Sequence, residues 1–267
     1  MRIALGQLAA GPEKRANLER MTGFVAQAAR AGADLLLFPE AAMVGGSPGA
    51  DLTPFAEPLD GPFASGLREA AARNGIAVVA GMFEPGSRER VYNTVIAIRP
   101  DGELFGSYRK IHLYDAFGGR ESDRIQPGDG STLAFNLAGL TFGVMTCYEL
   151  RFPEMARHLT DHGAEVLLLP AAWVRGPLKE MHWETLARAR AIENTVYVAA
   201  CGQVSDRYAG LSAIVDPMGV VIASAGEMEG VTTGDVSLER LTEVRRTNPS
   251  LAMRRRDLYA TWQPVRR

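Results

Sequence analysis

The chain has 267 residues, 46% of them hydrophobic and 22% charged, with a formal net charge of −2. That balance excludes a disordered chain, and it offers no basic field for nucleic acid or an anionic membrane surface. No run approaches the ~18 apolar residues of a membrane helix, so chemistry on a small molecule is the default expectation.

The first predicted element is the strand RIALGQL at residues 2–8; its apolar run is too short for a secretory signal and no cleavage pattern follows. A cytoplasmic chain is therefore expected, with Cys147 and Cys201 as free thiols in a reducing compartment. Leu18, Met21, Val25 and Ala28 fall on one helical stripe that stops near Gly32. ADLLLFPE, residues 33–40, is an apolar strand that ends on a polar residue. After a Gly- and Pro-rich loop over 45–62, residues 63–75 predict a helix and 76–84 a strand.

The rhythm then changes. RVYNTVIAI and ELFGSYRK flank the turn RPDG with no helix between them, which is the pattern of a hairpin. LTFGVMTC, the helix of FPEMARHLTDHG, the strand AEVLLLP and a helix around HWETLARARAIEN follow. The strands VYVAACGQV, LSAIVDP and GVVIASA come last. A purely parallel doubly wound sheet would not hold so many hairpins, so the chain predicts mixed sheets covered by helices. With no repeat and no linker, residues 1–267 are expected to form a single domain.

Three apolar strands end on reactive residue types, Glu40, Lys110 and Cys147. In α/β architectures the carboxyl ends of strands are where side chains leave the core and converge. Each residue alone has an ordinary alternative: a capping or solvated glutamate, a surface lysine, a cysteine that is an inert buried hydrophobe. Cys201 in VYVAAC suits that last description. Together the three make a chemical set. A carboxylate can take a thiol proton and return it to a leaving amine, a helix start near Pro153 adds a positive field, and a lysine with a backbone N–H can hold an oxyanion. That set suits attack on a carbonyl carbon.

LLLFPE, YRKIHLYDAF and MTCYELRFPE resemble the three catalytic motifs of the nitrilase superfamily of carbon–nitrogen hydrolases, and the likeness extends over nearly the whole chain. The resemblance implies an α/β fold, a four-layer α-β-β-α sandwich of two mixed sheets. It implies Glu40 as general base, Lys110 as oxyanion stabiliser, Cys147 as nucleophile and Glu121 as a supporting carboxylate that orients Lys110 and the amide. The Tyr148 N–H would be the second oxyanion donor. Glu149 corresponds to an acidic structural position, with a turn or capping role the plainer reading. No metal or organic cofactor is implied, and the partner is a small-molecule amide.

KIHLYDAF, CYELRFPE and PAAWVRGPLKEMHW look most like the deaminated glutathione amidases, with the omega-amidases as the near alternative. Both act on an acyl half that is a 2-oxo dicarboxylate, so a cation is expected in the acyl pocket. Arg151 and Arg175 are the candidates, since a guanidinium matches a carboxylate bidentately, and Trp173 is a candidate wall. A structural ion pair is the alternative for either arginine, and a core position for the tryptophan.

The four histidines, 112, 158, 162 and 182, lack metal-ligand spacing. A Cys-His enzyme with His112 or His182 as base is the rival chemistry, although the local signature of such proteases is missing. The arginines at 245–246, 254–256 and 266–267 read as solvated charges or part of a subunit interface in a homo-oligomer, a dimer or larger. A non-catalytic binding or scaffold protein on the same fold is the alternative of another class.

Overall fold

The computed structural model describes residues 1–45, 49–87, 89–259 and 261–262, so Arg266 and Arg267 of the last arginine cluster lie outside the described residues. In chain order its first half runs β1 (Arg2–Gln7), α1 (Lys14–Arg30), β2 (Leu35–Leu37), α2 (Pro62–Asn74), β3 (Ala77–Pro85), β4 (Val91–Ile98) and β5 (Leu104–Arg109). The second half runs β6 (Ala134–Leu137), β7 (Leu140–Val144), α3 (Pro153–Asp161), β8 (Val166–Ala171), α4 (Lys179–Asn194), β9 (Tyr197–Gly202), β10 (Ser212–Val215), β11 (Val221–Gly226), β12 (Gly230–Asp235), α5 (Leu238–Thr247) and α6 (Arg256–Tyr259).

Two six-stranded sheets result, ordered β12-β1-β2-β3-β4-β5 and β11-β10-β9-β8-β7-β6. In each, three neighbouring strands run parallel, β1-β2-β3 and β7-β8-β9, while the remaining pairs are antiparallel. Side-chain alternation sets the layers. Ile3, Leu5, Leu35, Leu37, Val79 and Val95 face a core shared with Val144, Val166, Leu168 and Val198 of the other sheet. Ala4, Leu36, Val78 and Ile96 face the opposite way, under Met21 and Val25 of α1 and Phe63 and Leu67 of α2. Met155 and Leu159 of α3, with Trp183, Ala187 and Ala191 of α4, extend the first core over the outer face of the second sheet. The sandwich is therefore α-β-β-α, in line with the expectation from the chain's resemblance.

The arginines toward the C-terminus hold the chain to the body. Arg254 and Arg256 both pair with Asp161 at the end of α3, and Arg245 of α5 donates to the Thr195 carbonyl at 3.2 Å. Among the described residues no helix is long and apolar enough to cross a membrane.

Candidate active site

Glu40 sits three residues beyond β2, on a segment that must pass close to β3. A methyl group on Gly81 would come within 2.6 Å of the Ala41 nitrogen and 2.8 Å of the Glu40 Cα, so β3 can lie here only because position 81 has no Cβ. Ala41 follows at φ +53°, and the buried Gln203 side chain pins the bend by donating to the carbonyls of Glu40 at 2.9 Å and Ala41 at 3.0 Å. The Glu40 carboxylate is buried and fully engaged. Its Oε1 accepts from Lys110 Nζ at 2.9 Å and Asn93 Nδ2 at 2.7 Å, and its Oε2 accepts from the Ala172 N–H just past β8 at 2.8 Å.

Lys110 leaves β5 directly and is 1% exposed. Besides Glu40 it donates to Glu121 at 2.8 and 3.1 Å, and Glu121 is itself held by the Tyr114 N–H at 2.6 Å and Asn93 Nδ2 at 3.2 Å. Burial works against the lysine's charge, but Glu121 and Glu40 outweigh it and hold the ammonium well above its ordinary pKa.

Cys147 opens a 3-10 turn, Cys147–Arg151, three residues past β7, and takes φ +48°, a conformation a non-glycine residue adopts only where its surroundings enforce it. The Tyr148 N–H is the second of that turn, and the first N–H groups of such a turn have no acceptor within it. The thiol and the Glu40 carboxylate line one cavity. Burial and then the Glu40 charge push the thiol's pKa well up, against the pull of Lys110. Burial pushes Glu40 up as well, yet Lys110, the thiol and the Ala172 N–H together hold it below the usual carboxylate range. The resting arrangement is thus an ammonium paired with an ionised base, and a protonated thiol within the field of both.

Glu149 has a larger part than a turn residue. Fully buried, its Oε1 accepts from the Tyr108 hydroxyl at 2.6 Å and the N–H groups of Ile111 at 3.0 Å and His112 at 3.2 Å, while Oε2 accepts from the Thr146 N–H at 2.7 Å. One side chain thereby ties the segment after Lys110 to the residue before Cys147. The expected capping does occur, as a capping box with Thr146 within the turn, and the same side chain also joins the two parts of the site.

These groups line a cavity of about 170 Å³ together with Tyr114, Tyr148, Trp173, Lys179, Arg207 and Tyr208. Trp173 lines the cavity and also belongs to the shared core, with its indole N–H donating to the Lys179 carbonyl at 2.7 Å. The two candidate arginines are not lining residues. Arg175 donates to the Ser205 and Tyr208 carbonyls at 3.3 and 3.0 Å and lies 3.4 Å from Glu227. Arg151 lies over the Trp173 ring at 4.9 Å. Neither His112, stacked on Phe152 at 4.1 Å, nor His182, 3.4 Å from Arg151, lines the cavity. Asn93, Gln203, Ala172 and Lys179 carried no signal in the sequence that would have singled them out.

Such a pairing of thiol, carboxylate and lysine at strand ends, over two stacked mixed sheets, defines a thiol hydrolase that cleaves carbon–nitrogen bonds. The chain belongs to the carbon-nitrogen hydrolase family, whose profile matches residues 2–246. It is similar to the deaminated glutathione amidase of Escherichia coli O157:H7, 40% identical over 256 residues that cover 96% of this chain and 97% of the relative. It is also similar to the omega-amidase NIT2 of Homo sapiens, 36% identical over 273 residues covering 97% and 96%. Among solved structures, Saccharomyces cerevisiae Nit3, a member of branch 10 of the nitrilase superfamily, matches with a TM-score of 0.84 at 30% identity and 96% coverage of each chain.

Proposed function

We propose that the protein hydrolyses the amide bond of deaminated glutathione through a thioester on Cys147. The observation that carries this reading is that Cys147, Glu40 and Lys110 line one cavity, with the lysine oriented by two carboxylates and the thiol in the field of the Glu40 charge. The 40% identity to a deaminated glutathione amidase supports the substrate.

In the first step Cys147 Sγ bonds to the amide carbon while its proton passes to Glu40 Oε. The carbonyl π pair becomes an oxyanion, held by Lys110 Nζ and the Tyr148 N–H. The carbonyl then reforms, the C–N bond breaks and Glu40 returns the proton to the departing amine, cysteinylglycine, which leaves a thioester. Water attacks that thioester as Glu40 takes its proton, and breakage of the C–S bond with reprotonation of the thiol releases the 2-oxo dicarboxylate. Glu121 acts through Lys110: it shares the charge and fixes Nζ, so that the ammonium stays aimed when Glu40 becomes neutral.

A second reading is an omega-amidase that releases ammonia from 2-oxoglutaramate, favoured by the 36% identity to omega-amidase NIT2. A non-catalytic scaffold has less support, since the buried ammonium, carboxylate and strained thiol would be costly to keep without chemistry. The proposal carries with it a cytoplasmic setting, supported by two free cysteines, and self-association, supported by the exposed Leu258, Tyr259 and Trp262 near the end of the chain.

The test is kcat/KM on one panel: deaminated glutathione, 2-oxoglutaramate, simple aliphatic amides and nitriles. The proposal expects deaminated glutathione to lead. A lead by 2-oxoglutaramate selects the second reading, and no turnover of any amide overturns both.

A further inference from the structure

Resting on the amidase reading above, we propose that Lys179, with Arg151 beside it, reads a carboxylate on the acyl half of the substrate. Lys179 lines the same cavity as Cys147 and Glu40, yet is only 5% exposed. Its Nζ donates to the Tyr114 hydroxyl at 2.9 Å and sits over the rings of Phe117 at 4.3 Å, Tyr114 at 4.7 Å and Trp173 at 5.2 Å. An ammonium has three protons to donate, and this one has a single oxygen partner.

The surroundings hold a second cation, and the acidic neighbour Glu180 acts on Lys179 only weakly, as the last of the influences on its charge. The Arg151 guanidinium lies over two of the same rings, Trp173 at 4.9 Å and Phe117 at 5.1 Å, and its Nε is buried with no hydrogen-bond partner. Among the described residues no Asp or Glu side chain forms an ion pair with either Lys179 or Arg151. Aromatic faces return only part of what two desolvated cations lose on leaving water, and like charges repel. Burial, followed by the field of Arg151, lowers the lysine's pKa, as befits a cation short of an anion. An incoming carboxylate supplies what is missing: acceptors for the remaining protons and the opposite charge.

Other cations at the cavity have different work. Lys110 is engaged by Glu40 and Glu121, Arg124 donates to the Ala50 carbonyl at 3.0 Å, the exposed Arg120 pairs with Asp123, and Arg207 lies over the Tyr208 ring at 5.3 Å. The substrate class follows from this chemistry: an amide whose acyl chain ends in a carboxylate or 2-oxo acid, in preference to an uncharged amide of equal length.

The experiment compares 2-oxoglutaramate with pentanamide, which share ammonia as leaving group and differ in the acid end of the acyl chain, in wild type, Lys179→Met and Arg151→Met. The readout is the ratio of kcat/KM for the acid over that for the neutral amide, which a general loss of stability does not move. Lys179→Met should lower the ratio by about 30-fold or more, the scale of one lost charge-assisted contact with its partner left buried, and Arg151→Met by less. Lys179→Gln provides the same comparison should the Met variant not fold. A ratio within about 3-fold of wild type in the Lys179 variants, or a larger fall in Arg151→Met, overturns the assignment while the amidase reading stands. A wild type inactive on both amides and on deaminated glutathione removes that reading, and the proposal with it.

Discussion

Replacing Glu149 with Gln should cost about 2 to 6 kcal/mol of stability and a larger share of the rate. The substitution keeps the shape but turns one acceptor oxygen into a donor in a shell made mostly of donors. Three of these, the Tyr108 hydroxyl and the N–H groups of Ile111 and His112, converge on Oε1, where His112 Nδ1 also lies at 3.3 Å, and the Thr146 N–H meets Oε2. The less costly orientation keeps the oxygen toward the three and faces the new amide toward Thr146. Two donors are then buried without acceptors, at about 1 to 3 kcal/mol each. The lost bond also releases the residue before Cys147, whose φ of +48° needs enforcement. A shift of about 1 Å at the nucleophile is enough for a loss on the order of 100-fold in kcat. Urea unfolding gives the first quantity and steady-state kinetics the second. Tyr108→Phe removes a single one of these bonds and should cost about 1 kcal/mol with the rate within a few fold. A Glu149→Gln variant with the wild-type midpoint and rate would show that this side chain does not hold the site together.

Glu40→Gln should lower kcat/KM by at least about 100-fold with the fold intact, and single changes at His112 or His182 by far less; a histidine variant as inactive as Glu40→Gln, with a normal melting curve, restores the Cys-His chemistry. Because Glu40 is held below its ordinary value of 4.5, the acid limb of kcat/KM in the free enzyme should lie below that value. The same shift links to stability: with the folded-state pKa the lower one, the contribution is full above the unfolded value and is lost as pH falls through the folded one, so Glu40→Gln should flatten unfolding curves measured below about pH 4.5. Arg175→Met should leave the preference for carboxylated over neutral amides at the wild-type value, since that guanidinium is engaged by two backbone carbonyls outside the cavity; a collapse of the preference would return the arginine to the substrate.

The strand ends were legible in the sequence because an apolar run that stops on Glu, Lys or Cys is a local pattern, and three such runs survive inspection without a structure. The layers were legible too, through hairpin spacing between RVYNTVIAI and ELFGSYRK. Weakly patterned edges were not. β6 has four residues and β12 reads GVTTGD, with too few large apolar groups to stand out, yet β12 pairs along all of β1 from the far end of the sequence, Arg2 with Asp235 through Gln7 with Gly230. Asn93 and Gln203 escaped notice for a related reason: an amide inside an apolar strand carries no local sign that it will meet a carboxylate or two carbonyls from distant segments. The arginines drew attention by residue type and proximity to the cysteine, whereas Lys179, one turn before the expected start of α4, reaches the cavity only because that helix begins earlier than HWETLARARAIEN suggests.

The most direct measurement of the central claim is turnover of deaminated glutathione by wild type, Cys147→Ala and Cys201→Ala, with intact-mass analysis after brief iodoacetamide treatment of the wild type. Cys147 lines the cavity together with the carboxylate base, whereas Cys201 is 0% exposed and meets the Ser212 hydroxyl at 3.9 Å. The account predicts an active wild type, no turnover in Cys147→Ala, near-normal turnover in Cys201→Ala, and one fast-labelling thiol in the peptide that contains Cys147. Activity retained in Cys147→Ala, or preferential labelling at Cys201, would contradict it.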